Sequence, residues 1–155
     1  MNKELKIVIG CDHAALDMKH AVIKMLESKG YSVTDVGAHT TESCDYPDIA
    51  HLLCEKIMSG ECGRGFLICG TGIGMSLVAN THPGIRAACC SDTYSAELTR
   101  RHNDTNVLCF GARVVDEATG LKLAEIFVET DFESDSERHC RRLEKLAEIE
   151  SAYMK

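Results

Sequence analysis

Short apolar runs alternate along the chain with segments whose apolar residues recur at helical spacing. Five runs have the length and composition of buried strands: 7–9, 31–36, 65–69, 86–90 and 106–110. Helical spacing marks the segments 13–29, 47–58, 93–102, 117–128 and 136–153, and another helix is expected after the glycine-rich run 70–74. Apolar strands joined by helices form parallel sheets covered on both faces by right-handed crossovers. The pattern therefore predicts an α/β fold, a three-layer α/β/α sandwich around a five-stranded parallel sheet.

The chain of 155 residues is long enough for one hydrophobic core and contains no repeat or linker, which predicts a single domain over 1–155. Its last helix carries an apolar stripe formed by Leu143, Leu146, Ile149 and Tyr153. Nothing after the fifth strand requires a sixth. Two interpretations stay open: this helix packs on a partner subunit at a dimer interface, or it packs on its own sheet.

Composition narrows the class of protein. With 17 basic and 24 acidic residues the net charge is −7, which argues against general nucleic-acid binding. No apolar run approaches the roughly 20 residues of a membrane span, so we expect a cytoplasmic protein without a membrane partner. Nine cysteines, an odd number without any CxxC pair, argue against a disulfide framework. We expect most of them to be buried free thiols.

Polar residues follow several of the predicted strands, where open parallel sheets bind their ligands. They are Cys11, Asp12 and His13 after the first strand, Cys69 and the run 70–74 after the third, Ser91 and Asp92 after the fourth, and Gly111 and Arg113 after the fifth. The fourth helix ends in His102 and Asn103, which we place on the same edge. Asp12 suits the N-cap of the first helix, and His13 would then occupy its first position.

The run GTGIG, at 70–74, lies between a strand and a helix, so its backbone N–H groups suit an anion. The dinucleotide fingerprint needs its third glycine one residue later, where Met75 stands, and no Lys-Ser/Thr pair completes a P-loop. The run therefore favours an anion other than a dinucleotide or ATP. A tight turn without a ligand is the structural alternative.

Cys69 directly precedes this run, where the positive end of the helix dipole favours a thiolate that could act as base or nucleophile. The alternative is one more buried strand cysteine. Arg138 and Arg142 lie four residues apart on one face of the last helix and suit a phosphate between them. A solvated face neutralised by Glu137 and Glu144 is the alternative there.

Six segments together resemble ribose-5-phosphate isomerase type B, a family that includes galactose-6-phosphate and allose-6-phosphate isomerases. They are GCDHAA (10–15), DYPDIA (45–50), ICGTGIGMS (68–76), ANTHPGIRAA (79–88), RRHNDTNVLCFGARV (100–114) and ERHCRRLEKL (137–146). The resemblance runs through essentially the whole chain in order. It implies a Rossmann-like sandwich that interconverts ribose 5-phosphate and ribulose 5-phosphate in the pentose phosphate pathway, without metal or nucleotide cofactor.

The resemblance also implies a role for individual residues. Cys69 matches the proton-shuttling base, and Met75 stands where some members carry a glutamate base instead. Thr71 and the backbone of Gly70, Gly72, Ile73 and Gly74 match the anion hole, while His102 matches the acid that assists ring opening. Asn103, Asp12 and His13 match sugar and phosphate contacts, and Arg113, Arg138 and Arg142 match the phosphate clamp. Family members form homodimers, sometimes dimers of dimers, whose sites combine two chains.

Three other functions remain open from the sequence. A six-carbon phosphosugar, allose or galactose 6-phosphate, would need a larger cavity, which the sequence does not reveal. A metal or redox centre could form if Cys11, Cys69, Cys89, Cys90 and Cys109 converged. A non-catalytic phosphosugar sensor would bind the ligand without exchanging its protons.

Overall fold

The computed structural model describes residues 4–154, which form five strands and six helices. The strands are β1 Lys6–Cys11, β2 Ser32–Asp35, β3 Arg64–Cys69, β4 Ala87–Cys89 and β5 Val107–Gly111. The helices are α1 Leu16–Ser28, α2 Tyr46–Met58, α3 Ile73–Ala79, α4 Thr93–Asn103, α5 Glu117–Glu129 and α6 Glu137–Tyr153. All strand pairs are parallel, in the order β2-β1-β3-β5-β4. The predicted α/β fold is confirmed.

Successive side chains of the buried strands point to opposite faces of the sheet, which creates two apolar cores, one on each face. Phe66 and Ile68 face the layer of α1, α4 and α5, where Phe66 packs edge-on against Phe127 at 5.5 Å between ring centroids. Leu67 and Cys69 face the opposite layer of α2 and α3. Because β3 is central and buried on both faces, the edge formed by its carboxyl end is held rigidly.

Capping residues fix most helix starts close to their predicted positions. Pro47 lies in the first turn of α2, and Asp92, Asp116 and Ser136 each accept a backbone N–H at the starts of α4, α5 and α6. The prediction for α1 is wrong at its start. Asp12 is not the N-cap, because its Oδ1 accepts the N–H of Ala14 at 2.9 Å in a turn that precedes the helix.

Helix α6 lies outside the sandwich, and His139 is its buried residue. Leu146, Ile149 and Tyr153 on its apolar stripe are 46%, 61% and 85% exposed. They border a cavity of about 530 Å³ beside Ala87 and Ala88 of β4 and keep much of their surface open to solvent, and this exposure favours a partner surface. Within residues 4–154 no helix is both long and apolar enough to cross a membrane.

Candidate active site

The strand order changes direction between β1 and β3, and ligands of open parallel sheets bind at such a switch point. The two carboxyl ends are joined there by a hydrogen bond from Asp12 N–H to the carbonyl of Ile68 at 3.1 Å. The first group of predicted site residues lies at this edge: Asp12, His13, Cys69, Thr71, the glycine loop 70–74 and Arg113. We call this group the carboxyl-edge half-site.

The glycine loop packs directly on the end of β5. Gly72 has φ +79°, and a Cβ there would lie 2.7 Å from the Cα of Phe110. A Cβ on Gly111 would lie 2.6 Å from the carbonyl oxygen of Gly70. Only glycine allows the positive φ at residue 72 and the close backbone approach at residues 72 and 111. The loop is therefore held in one position beneath any ligand.

Replacing Gly72 by alanine should destabilise the protein by about 1–3 kcal/mol and also lower kcat/KM, because the strained loop has to move away from Phe110. Gly60→Ala is the matched control, since Gly60 has φ +78° but nothing within 4 Å of an added Cβ. Gly60→Ala should lose stability because of its positive φ but should keep its activity. Urea denaturation and steady-state kinetics measure both effects, and equal behaviour of the two variants would contradict the packed-loop interpretation.

Cys69 lies at the floor of this loop and is 5% exposed. Its Sγ accepts the N–H of Gly72 at 3.1 Å, and among residues 4–154 no other cysteine sulfur accepts a hydrogen bond from a backbone N–H. Met75 and Ala79 pack in the same apolar cluster. The thiol is thus buried below but attached to the polar loop above.

The other cysteines behave mostly as the sequence predicts. Burial raises the pKa of Cys11, Cys54 and Cys90 to about 11, and raises that of Cys109 well above its ordinary value. These thiols stay protonated at neutral pH and pack as small apolar groups. All nine cysteines are free. Within residues 4–154 no three of them bring sulfurs together in metal-binding geometry, so a thiolate metal centre is not supported.

Polar groups surround the loop on its open side. The N–H groups of Thr71 and Gly74 make no hydrogen bond within residues 4–154, and the Thr71 hydroxyl accepts the N–H of Ile73 at 3.3 Å. The Arg113 guanidinium lies over Gly70, with Nη1 3.3 Å from the place of a Cβ. The loop therefore presents free donors and a cation to an anion, which supports the anion-binding interpretation.

His13 lies in the turn before α1, where its Nδ1 accepts the N–H of Cys44 at 3.3 Å. It lines a cavity of about 330 Å³ with Thr41, Ala112 and Asp116. Lys19, a fully buried ammonium, pairs with Asp35 at 2.9 Å and donates to the Ala38 carbonyl at 2.5 Å, where the loop that leads to Cys44 begins. His13 is therefore fixed by two loops at the rim of the carboxyl-edge half-site.

His102 and Asn103 lie at the opposite edge of the sheet, contrary to the prediction that placed them with the strand ends. Helix α4 runs back from the carboxyl end of β4, so its last turn reaches the amino ends of the strands. There Asn106 bonds to the backbone of Gly65 and Arg86. The five residues of β5 span about 13 Å at 3.3 Å per residue, which separates His102 from the loop of its own chain.

Arg138 and Arg142 begin α6 beside His102, and both are exposed. Within residues 4–154 neither forms an ion pair with a carboxylate, so neutralisation by Glu137 and Glu144 is not what holds them. We call His102, Asn103, Arg138 and Arg142 the amino-edge half-site. The predicted residues thus fall into two groups, and one chain does not bring them together.

Three contacting residues received no role from the sequence. The Tyr46 ring covers Gly74, where a Cβ would lie 2.8 Å from Cζ. His139 packs against His102 with 4.3 Å between ring centroids, and Glu133 lies 3.2 Å from His139. Tyr46 and His139 lie within the motifs DYPDIA and ERHCRRLEKL, which was the available signal, whereas their contacts depend on tertiary packing.

Comparison with known proteins places the chain in a family. Residues 7–146 match the ribose/galactose isomerase family. The chain is 45% identical over 147 residues to ribose-5-phosphate isomerase B of Escherichia coli K12, which covers 94% of this chain and 96% of that protein. It is 44% identical over 130 residues to D-erythrulose-4-phosphate isomerase of Pectobacterium atrosepticum, covering 83% and 86%.

Solved structures agree with this assignment. Ribose-5-phosphate isomerase B of Clostridium thermocellum superposes with a TM-score of 0.92 at 44% identity, covering 96% of this chain and 99% of that chain. The Mycoplasma genitalium enzyme with bound ribulose 5-phosphate superposes with a TM-score of 0.89 at 34% identity, covering 95% and 97%. The chain belongs to the ribose/galactose isomerase family and is an aldose–ketose isomerase.

Proposed function

We propose that the protein interconverts D-ribose 5-phosphate and D-ribulose 5-phosphate through an enediolate, with Cys69 as the base that carries the proton. One observation carries this proposal: the Cys69 sulfur accepts the Gly72 N–H at 3.1 Å directly beneath a loop with free N–H donors. A thiolate and an anion-binding loop at one place are what proton abstraction next to a carbonyl requires. The similarity to ribose-5-phosphate isomerase B supports the choice of sugar.

The reaction begins with the cyclic sugar, whose ring must open before the C2 proton becomes acidic. His102 donates a proton to the ring oxygen while the anomeric hydroxyl gives its proton to water, and the C1–O ring bond breaks as the C1 carbonyl forms. The Cys69 thiolate then removes the C2 proton, and the negative charge that develops on O1 is received by Thr71 and the loop N–H groups. The Cys69 thiol returns the proton to C1, and the O2 proton passes to O1, which leaves the ketose with its carbonyl at C2.

A second copy of the chain completes each site in this proposal. Cys69 and Arg113 come from one protomer, and His102, Asn103, Arg138 and Arg142 come from its partner. The separation of the two half-sites in one chain and the exposed apolar stripe of α6 both support a homodimer or a dimer of dimers. Asp12 and His13 then contact the sugar or its phosphate from the carboxyl-edge half-site.

The phosphate is bound by Arg113 of one protomer together with Arg138 and Arg142 of the other. Replacing Arg138 and Arg142 by methionine should raise KM for ribose 5-phosphate by about tenfold or more, because charge-assisted bonds to the phosphate are lost. Arg141→Met is the matched control: it removes an exposed arginine from the same turn and should leave KM unchanged. A fall in thermal stability without a change in KM would contradict the clamp.

The size of the sugar has alternatives. The relative from Pectobacterium atrosepticum is named for a four-carbon phosphosugar, and that similarity favours a smaller substrate as a second candidate. A six-carbon sugar, allose or galactose 6-phosphate, is the other alternative. Measuring kcat/KM for erythrulose 4-phosphate, ribose 5-phosphate and the two hexose phosphates side by side decides among them, and we expect the highest value for ribose 5-phosphate.

Proton exchange with solvent tests the reaction itself. Ribose 5-phosphate incubated with the enzyme in D₂O should gain deuterium at C1 of the ribulose 5-phosphate and at C2 of the recovered ribose 5-phosphate, measured by NMR. A phosphosugar sensor would bind the ligand and leave both positions unlabelled, and that result would overturn the proposed function.

A further inference from the structure

Three potential ligands converge where α4 ends and α6 begins. Ring nitrogens of His102 and His139 and a carboxylate oxygen of Glu133 all lie within 4.8 Å of one another. Within residues 4–154 this is the one group of three or more histidine, cysteine or acidic side chains arranged in this way. We call it the His-Glu-His cluster.

His139 supplies a second, independent observation. The residue is 4% exposed, and its Nδ1 has no hydrogen-bond partner within the described residues. The Glu133 carboxylate lies 3.2 Å from this nitrogen, but outside hydrogen-bond geometry. A buried polar atom without a hydrogen bond destabilises the fold. A cation bound between Glu133 and His139 would satisfy the nitrogen.

The geometry suits a small cation with nitrogen and oxygen ligands. The rings of His102 and His139 lie 4.3 Å apart at 38°, and His102 is partly exposed, so solvent reaches one side of the cluster. At zinc bond lengths of about 2.0–2.2 Å, tetrahedral ligands lie about 3.4 Å apart. The three ligand atoms, which lie within 4.8 Å of one another, would have to approach to that spacing, and a water molecule would complete the four ligands.

We propose that His102, Glu133 and His139 form a site for a divalent first-row cation, zinc foremost, and that its occupation inhibits the isomerase. Two imidazoles and one carboxylate are the ligands of many open zinc sites. The binding site stands on the cluster alone, whereas the inhibition rests on the proposed role of His102. A ring nitrogen of His102 that coordinates zinc no longer donates a proton to the sugar.

Two arginines determine how firmly the cation is held. Arg101 Nη1 lies 3.6 Å from Glu133 Oε1, and Arg138 Nη2 lies 3.5 Å from His139 Nε2. Their positive charge opposes a dication, which favours an exchangeable inhibitor over a resident cofactor. Coordination through Nδ1 also places the ring proton of His139 on Nε2, so Arg138 must turn away. Zinc therefore disturbs the phosphate clamp as well as the acid.

Histidine ring NMR tests the site without interference from the nine thiols. Protein labelled with ¹⁵N-histidine is titrated with zinc, and the signals of His102 and His139 are assigned from His102→Gln and His139→Gln. We expect these two signals to shift together at one zinc per chain. Glu133→Gln should raise the Kd for zinc by at least about tenfold, because a charged ligand is lost.

A second group of the same residue types serves as the control. His51 and His82 pair at 2.8 Å between Nδ1 and Nε2, and Glu55 lies 3.4 Å from His51 on an exposed helix face. Glu55→Gln should leave the zinc affinity unchanged. Zinc shifts confined to His51 and His82, or an unchanged affinity in Glu133→Gln, would overturn the proposed site.

Activity then separates the site from the proposed function. Zinc should inhibit isomerisation at the concentrations that shift His102 and His139, and excess ribose 5-phosphate should relieve the inhibition. Glu133→Gln should be inhibited only at proportionally higher zinc. Zinc binding at the cluster without inhibition would uphold the site, and would contradict both its inhibitory effect and the role of His102 as the acid.

Discussion

Cys69→Ala is expected to lower kcat for ribose 5-phosphate by about 10³-fold or more, while the sugar phosphate still binds. The variant removes the proposed proton carrier but leaves the loop N–H donors, Arg113 and the proposed phosphate-binding arginines in place. Removing a buried sulfur beside Met75 also costs some stability, so the folded fraction must be measured by circular dichroism. Calorimetric titration with ribose 5-phosphate measures binding separately from turnover.

Cys89→Ala is the matched control for this prediction. Cys89 also ends a strand at the carboxyl edge, and its Sγ donates to the Thr71 carbonyl at 3.7 Å, but it is exposed and its sulfur receives no backbone N–H. Partial desolvation of its sulfur and the neighbouring Cys69 both raise the pKa of Cys89, so its thiol stays protonated although the residue is exposed. We expect its kcat to stay within about threefold of wild type. Near-normal turnover in Cys69→Ala would exclude Cys69 as the base.

Local sequence patterns were sufficient to predict the elements of this fold. The apolar run around Phe66 is short, bounded by glycines and buried on both faces, so strand and sheet type follow from it. The glycine loop could be interpreted for the same reason, since Gly72 stands where only a residue without a side chain fits against Phe110. In both cases the interactions that determine the local structure lie within the segment itself or with the neighbouring strand of the sheet.

Two errors have physical causes. The Asp12 side chain accepts the N–H of Ala14 in a turn and does not cap a helix. Aspartate suits both motifs, so the residue type alone does not distinguish them. His102 was placed at the wrong edge because the end of α4 was assigned to the end of its preceding strand. A helix that joins parallel strands must return to the amino edge, so topology alone could have placed it.

What remained beyond prediction depends on contacts between distant segments. His139 is buried because α6 turns back against the end of α4, and no property of ERHCRRLEKL indicates which residue meets His102. Tyr46 covers Gly74 through the packing of α2 beside α3. The division of the proposed site residues between two edges is of the same kind, since it follows from the placement of whole elements around the sheet.

That division leads to the prediction with the largest gain of function: two inactive variants should restore activity when they are combined in one dimer. Co-expression of Cys69→Ala and His102→Asn chains with different affinity tags, followed by purification on both, isolates the mixed dimer. One of its two sites receives Cys69 from one chain and His102 from the other, while the second site lacks both. A symmetric dimer should therefore show about half the wild-type activity, although each variant alone is severely impaired.

The reciprocal pairing gives the opposite result and serves as the control. A dimer of wild-type chain with the Cys69→Ala/His102→Asn double variant places one defect in each composite site, so its activity should fall to that of the single variants. If each chain held a complete site, the double variant would pair with the wild type to give about half activity, and the two single variants would give none. Sites shared between two chains and sites complete within one chain therefore predict opposite activities for the two mixed dimers. Differences in stability between the variants cannot produce this reversal. Turnover of ribose 5-phosphate by the two purified dimers decides between the architectures.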